Sequence, residues 1–82
     1  MKEERKKQMK VKIRLDTIPD AYKFSAIASK LDGKIYIVDA NEGLKVNAKS
    51  VLGALHSMEF SNLWCVSEKD IYHAIEEFVI IE

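Results

Sequence analysis

The sequence is poor in the residues that mark secreted, fibrous or membrane-spanning chains. A single cysteine, Cys65, cannot form a disulfide framework, which excludes a small disulfide-stapled secreted domain. Three glycines and one proline exclude a collagen-like or low-complexity chain. Met1 is followed by charged residues, so no signal peptide is predicted, and no run approaches the roughly 20 apolar residues of a membrane span. We therefore expect a cytoplasmic protein.

The chain has the length and composition of one ordinary globular domain. It has 82 residues, of which 48% are hydrophobic and 32% are charged. That balance is typical of a folded chain rather than a disordered one. A domain this small buries only about 60% of the surface that its unfolded chain exposes, so we expect modest stability.

The charge is zero in total but uneven along the chain. Residues 1–14 carry seven basic side chains against two acidic ones, a balance of +5, and the remainder therefore carries −5. Residues 1–8 are predicted to be a basic N-terminal extension and residues 9–82 the folded domain. Such an arm can bind nucleic acid or anionic lipid, or can simply be solvated. No aromatic residue is interleaved with its charges, so nucleic acid is not the expected partner.

Hydrophobic periodicity predicts the first strand and the first helix. Apolar residues alternate with Lys10, Lys12 and Arg14 from Met9 to Leu15, which indicates a half-buried strand. Asp20 is the predicted N-cap of a helix that ends at Gly33. The apolar positions of this helix are Ala21, Phe24, Ile27, Ala28 and Leu31.

The rest of the chain alternates short strands and helices. Residues 34–39 and 44–47 are predicted to be strands joined by a turn at residues 40–43, in which Asn41 and Gly43 suit positive φ. Ser50 is the predicted cap of a short helix, and residues 62–66 form a fourth strand. Ser67 and Asp70 resemble a capping box for a last helix. The apolar stripe of that helix consists of Ile71, Ala74, Ile75, Phe78 and Val79.

The order β-α-β-β-α-β-α predicts an α+β open-faced β-sandwich, with a four-stranded antiparallel sheet and three helices on one face. The other face is expected to be wet. It should carry Lys10, Lys12, Arg14, Tyr36 and part of the surroundings of Trp64.

The segment "VNAKSVLGAL", residues 46–55, resembles the HPr family, the small phosphocarriers of the bacterial sugar phosphotransferase system. It matches the serine-site signature N-x-K-S-(aliphatic)-(Leu/Met)-G, with Asn47, Lys49, Ser50 and Gly53 at its polar and glycine positions. The resemblance extends over residues 9–80. It implies the HPr-like open-faced sandwich.

The chain departs from that family at the turn after the first strand. HPr proteins have Gly, an aliphatic residue, His, Ala, Arg and Pro there, and the histidine carries the phosphoryl group. Here the turn is Thr17, Ile18, Pro19 and Asp20, and no register supplies a histidine. A labile phosphoryl carrier needs an imidazole and donors for the phosphoryl oxygens. We therefore treat this turn as a degenerate active site and expect neither phosphocarrier nor enzymatic activity.

The resemblance leaves Ser50 and the second helix as candidates for function. In some HPr proteins the serine is phosphorylated by a dedicated kinase, and a paralogue class without the histidine is purely regulatory. Ser50 as a simple helix cap is the alternative. The second-helix region docks partners in the family. The predicted docking patch here consists of Leu52, Ala54, Leu55, Met58 and Phe60.

The remaining reactive side chains predict no site of their own. His56 and His73 fall on different elements without a carboxylate at metal spacing, so no metal site is expected. Cys65 alternates within a strand and is expected to be inert packing. No cofactor is predicted.

These observations favour a regulatory or protein-docking domain whose partner is a phosphotransferase component or a transcriptional regulator. The alternatives are a divergent phosphotransferase participant modified at Ser50, or at Thr17, and a weak binder of nucleic acid or anionic surfaces through the basic arm. We expect a monomer or a homodimer.

Overall fold

A computed structural model describes residues 8–39 and 43–81 of the chain. The elements are β1 (Met9–Lys12), α1 (Ile18–Ser29), β2 (Ile35–Asp39), β3 (Leu44–Asn47), α2 (Val51–Ser57), β4 (Leu63–Ser67), α3 (Tyr72–Ile75) and a 3-10 turn (Glu76–Phe78). The predicted N-terminal extension lies outside the described residues except for Gln8. So do residues 40–42 of the predicted turn.

The four strands form one antiparallel sheet in the order β1-β4-β2-β3. Side chains alternate across it, so that Ile37 and Cys65 are fully buried against the helices. Phe24 of α1 and Ile75 of α3 complete this core. The predicted α+β fold, an open four-stranded sheet with three helices, is confirmed. No helix in the described part of the chain is long and apolar enough to cross a membrane.

The first strand is shorter than the sequence predicts. β1 ends at Lys12, and Ile13 forms an isolated antiparallel bridge with Val79. The Arg14 amide donates to the Phe78 carbonyl at 2.9 Å, and the Ile80 amide donates to the Lys12 carbonyl at 2.9 Å. Leu15 is buried as its alternation predicts, but the backbone around it has left β4. The C-terminal segment therefore takes over pairing where β4 stops.

The first helix begins earlier than predicted. Thr17 is the N-cap and Asp20 is the third helical residue, so the prediction that Asp20 is the N-cap was wrong. The reason is a reciprocal capping box between the two side chains. The helix also ends earlier, at Ser29 with Lys30 as its C-cap, so the prediction that Gly33 ends it was wrong; Gly33, with φ +86°, lies in the bend that follows. Gly43 in the predicted turn has φ +72°, as expected.

The last helix differs most from its prediction. Ser67 belongs to β4, where its buried hydroxyl donates to the Lys69 carbonyl at 2.7 Å. It therefore caps no helix, and α3 has no side-chain hydrogen bond at its N-cap, Ile71. The helix is one α-turn followed by one 3-10 turn, and Val79 is already extended. Within the predicted stripe, Ile75 and Phe78 are buried, but Ala74 is exposed.

Candidate functional site

The turn before α1 is closed by its own hydrogen bonds. Thr17 Oγ1 accepts from the Asp20 amide at 3.2 Å. Asp20 Oδ2 accepts from the amides of Asp16 and Thr17 at 3.0 and 3.2 Å. Pro19 has no N–H to offer. The backbone donors that a helix N-terminus can present to a phosphate are therefore largely absent or engaged.

The electrostatics around this turn also disfavour an anion. A cleft of about 370 Å³ beside it is lined by Arg14 and by the carboxylates of Asp16, Asp20 and Glu77. Arg14 Nε lies 3.2 Å from Asp16 Oδ2, so its charge is already paired. A phosphoryl group in this cleft would meet a net negative charge, because the lining holds three carboxylates and a single guanidinium.

A lysine near this cleft is paired as well. Lys23 Nζ lies 2.8 Å from Glu77 Oε2. The hydrogen bond and the negative charge of Glu77 raise the pKa of Lys23 above its ordinary value. The ion pair joins α1 to the 3-10 turn at the protein surface, so Lys23 serves as a tether rather than as a free phosphate-binding cation.

The serine-site signature forms a structural unit that joins α2 to α1. Ser50 is half-buried, and its Oγ accepts from the Gly53 amide at 3.1 Å as the N-cap of α2. Asn47 Oδ1 accepts from the Lys49 amide at 2.9 Å. Lys49 Nζ donates to the Leu31 carbonyl at 2.7 Å, just past the end of α1. Each polar side chain of the signature therefore makes a hydrogen bond within the fold.

Gly53 completes this unit by its lack of a side chain. A Cβ on Gly53 would lie 2.7 Å from the carbonyl oxygen of Asn47, closer than real Cβ atoms approach. The glycine of the signature is thus required by the close approach of α2 to the end of β3. Packing accounts for this position without any ligand.

The predicted docking patch is wrong at two of its five positions. Ala54 is fully buried and Phe60 is 9% exposed, so neither can present a surface to a partner. Ala54 points from α2 into the core, and Phe60 makes an edge contact with the ring of His56. Leu55 and Met58 are half-buried and pack against the core. Leu52 is 77% exposed and alone projects fully.

Exposed apolar side chains also lie on α1 and beside Leu52 on α2. Ile18 and Tyr22 are 56% and 51% exposed, and Val51 on α2 is 38% exposed. We call Ile18, Tyr22, Val51 and Leu52 the α1–α2 surface. The α1 members were not among the predicted docking residues, and Ile18 was assigned to the turn before the helix. Their spacing of four residues on one helix face was the available signal.

The two helices meet on the side of α1 that carries these residues. At 100° per residue, Ser29 falls within about 20° of both Ile18 and Tyr22 around the helix axis. Ser29 Oγ donates to the Lys49 carbonyl at 3.2 Å, immediately before α2. This hydrogen bond places the start of α2, where Val51 and Leu52 lie, beside the C-terminal end of that side of α1.

The histidines and the cysteine form no reactive centre. His73 is 95% exposed and lies 3.9 Å from Glu76, and His56 contacts Phe60. Cys65 is fully buried, and burial raises the pKa of its thiol to about 12. Across residues 8–39 and 43–81, no group of three or more His, Cys, Asp or Glu side chains is arranged to hold a metal ion.

Comparison with known proteins gives no relative for this chain: no protein-family model, no curated protein and no solved structure matches it significantly.

Proposed function

We propose that this protein is a protein-docking, regulatory domain related to the HPr phosphocarriers, and that it carries no phosphoryl group itself. The observation that carries the proposal is the α1–α2 surface. Its four residues account for four of the six large hydrophobic side chains that are exposed among the described residues. The other two, Leu44 and Ile81, lie on β3 and at the C-terminal end.

The concentration of the α1–α2 surface residues on two helices that pack together distinguishes these side chains from scattered surface hydrophobes. Single exposed apolar residues are normal on a soluble domain, whereas contiguous ones mark interaction sites. Leu52 at 77% exposure gains little from intramolecular packing. A protein partner with an apolar face, such as a phosphotransferase component or a transcriptional regulator, is the occupant that fits this chemistry.

The closed turn at Thr17–Asp20 supports a function in which this protein binds a partner without transferring a phosphoryl group. The amides of Asp16, Thr17 and Asp20 are engaged, the cleft beside the turn is acidic and no imidazole is present in the turn. A partner that recognises the helical surface of a phosphocarrier can still bind, because that recognition does not require phosphoryl transfer.

Enzyme I of the phosphotransferase system is the first partner to test. Backbone amide NMR shifts of the isotopically labelled protein are followed as purified Enzyme I is added. We expect shifts on α1 and α2 that Leu52→Glu abolishes. The matched control is Leu44→Glu, which adds the same charge at an exposed apolar residue on the edge strand β3.

Radiolabelled phosphoenolpyruvate added to the same mixture tests whether Enzyme I transfers a phosphoryl group to this chain. We expect no label on this chain. Transfer of label would overturn the proposal. So would concentration-dependent dimerisation abolished by Leu52→Glu, since the surface would then bind a second copy. Absence of any shift would remove Enzyme I as the partner.

Phosphorylation of Ser50 is the second candidate function. The hydroxyl is half-buried and serves as a cap, which is a sufficient structural reason for a serine there. A phosphate at a helix N-terminus is favourable to the helix dipole. The intact mass of the protein from its native cells, followed by peptide mapping, tests this function. An added phosphate on Ser50 supports regulation by a kinase. An unmodified mass supports a purely structural role for Ser50 as a helix cap.

A further inference from the structure

The sheet face opposite the helices brings lysines and aromatic rings together. One row across the strands consists of Lys10, Val66, Tyr36 and Asn47. The next consists of Lys12, Trp64, Val38 and Lys45. We call these eight residues the open sheet face. All are exposed or half-buried, whereas their neighbours Ile37 and Cys65, which point the other way, are fully buried.

This face has a strong local charge. Three of its eight residues are lysines and none is acidic, although the whole chain has equal numbers of basic and acidic residues. Charge complementarity therefore favours an anionic partner.

The two aromatic rings lie beside these charges. Lys10 Nζ is 5.2 Å from the centroid of the Trp64 ring, and Lys45 Nζ is 4.5 Å from that of Tyr36. Tyr36 and Trp64 are diagonal neighbours on adjacent strands, and such positions lie about 7–8 Å apart. Exposed cation–π contacts are weak, so a nucleobase can displace the lysine and stack on the ring.

We propose that the open sheet face binds single-stranded nucleic acid without sequence preference, through stacking on Tyr36 and Trp64 and phosphate contacts from Lys10, Lys12 and Lys45. Four-stranded sheets that bind single-stranded RNA present two or three aromatic rings on an uncovered face in the same way. This function is independent of the α1–α2 surface, which lies on the helical layer. An acidic polypeptide matches the charge but makes no use of the two flat rings.

Trp64 provides the direct readout because it is the only tryptophan in the chain. A 20-nucleotide poly-dT or poly-U strand is titrated into the full chain while Trp64 fluorescence is followed, and the anisotropy of a labelled strand is measured in parallel. We expect saturable quenching. If the three lysines neutralise three phosphates, the affinity should fall roughly 100-fold for each tenfold rise in salt concentration.

Variants assign the binding to this face. The double variant Lys10→Gln with Lys45→Gln removes two of the three lysines. For this variant we expect the affinity to fall only roughly 5-fold for each tenfold rise in salt concentration. Both side chains are exposed, so the fold should persist, and circular dichroism checks this. The matched control is Lys30→Gln, which removes an exposed lysine at the end of α1 on the helical layer.

Three results would overturn the inference. The first is binding without quenching of Trp64, abolished by Arg5→Gln with Lys6→Gln and Lys7→Gln, which would assign the affinity to the basic arm. The second is equal affinity for duplex DNA or for polyglutamate, which would show that the rings take no part. The third is unchanged affinity and salt dependence in the double lysine variant. Quenching that the double variant weakens and Lys30→Gln leaves intact supports the inference.

Discussion

Thr17 and Asp20 cap each other. The Thr17 hydroxyl accepts from the amide of Asp20, and the Asp20 carboxylate accepts from the amide of Thr17, each at 3.2 Å. This reciprocal pair occupies the turn that the sequence resemblance would align with the phosphoryl-carrying histidine of HPr proteins. The turn therefore starts α1, and its polar groups are committed to the backbone.

The capping pair should contribute measurably to stability. We expect Thr17→Ala and Asp20→Ala each to lower the free energy of unfolding by about 1 kcal/mol, because each removes an acceptor for an amide at the helix start. Urea denaturation monitored by circular dichroism measures this. Asp32→Ala is the control, since that side chain is 89% exposed with only a 3.9 Å contact to Lys69. A loss in the control equal to that in the capping variants would contradict the assignment.

Gly53→Ala should destabilise the protein although it replaces glycine within a helix. Propensity alone predicts a gain of up to about 1 kcal/mol. The new Cβ would lie 2.7 Å from the backbone oxygen of Asn47, and backbone cannot swing aside as a flexible side chain can. Overpacking of this kind costs about 1–3 kcal/mol. Thermal unfolding measures the change, with Leu52→Ala on the same helix as a control expected to stay within about 0.5 kcal/mol. A higher melting temperature for Gly53→Ala would contradict the close approach.

Phe78→Ala should be among the most damaging substitutions at the C-terminal end. Phe78 is 5% exposed, and its ring meets that of Phe24 edge-on at a centroid distance of 5.2 Å. Removing a buried phenylalanine ring costs about 3–5 kcal/mol. Equilibrium urea denaturation tests this, with Ile81→Ala as the control because Ile81 is 82% exposed. Similar losses in the two variants would argue against the packed 3-10 turn.

Cys65 should make stability fall at alkaline pH. Burial raises the pKa of its thiol from 9.0 to about 12 in the folded protein. As the pH rises above 9.0 the unfolded chain releases this proton while the folded chain retains it, so the free energy of unfolding decreases up to about pH 12. The slope from this one group is at most about 1.4 kcal/mol per pH unit.

Comparison with Cys65→Ala isolates the contribution of the thiol, because lysines and tyrosines also titrate in this range. We expect the variant to lose stability less steeply above pH 9.0. A thiol reagent at neutral pH should label the native protein only as fast as it unfolds. Rapid labelling of the native protein, or parallel pH profiles for the two proteins, would contradict the buried thiol.

Strands β2, β3 and β4 and helix α2 were predictable because local patterns encode them. Alternation in β2 and β3 and the serine cap of α2 place those elements within about a residue of the observed bounds. The last helix was not predictable in the same way. Its apolar spacing fits a long helix, but Val79 instead bridges to Ile13, and a contact between residues so far apart in sequence leaves no mark in a local pattern.

For the candidate surfaces, too, some features follow from the sequence and others depend on the tertiary structure. The sequence alone determined the fold class, the absence of an imidazole from the turn and the polar groups of the serine-site signature. Only the tertiary structure decided that Ala54 and Phe60 are buried, because exposure depends on which neighbouring elements cover a side chain. It also placed Lys10 over Trp64 and Lys45 over Tyr36. Alternation in the sequence predicts that Lys10, Tyr36 and the surroundings of Trp64 share one face, but strand pairing joins residues that are distant along the chain and so decides which lysine lies beside which ring.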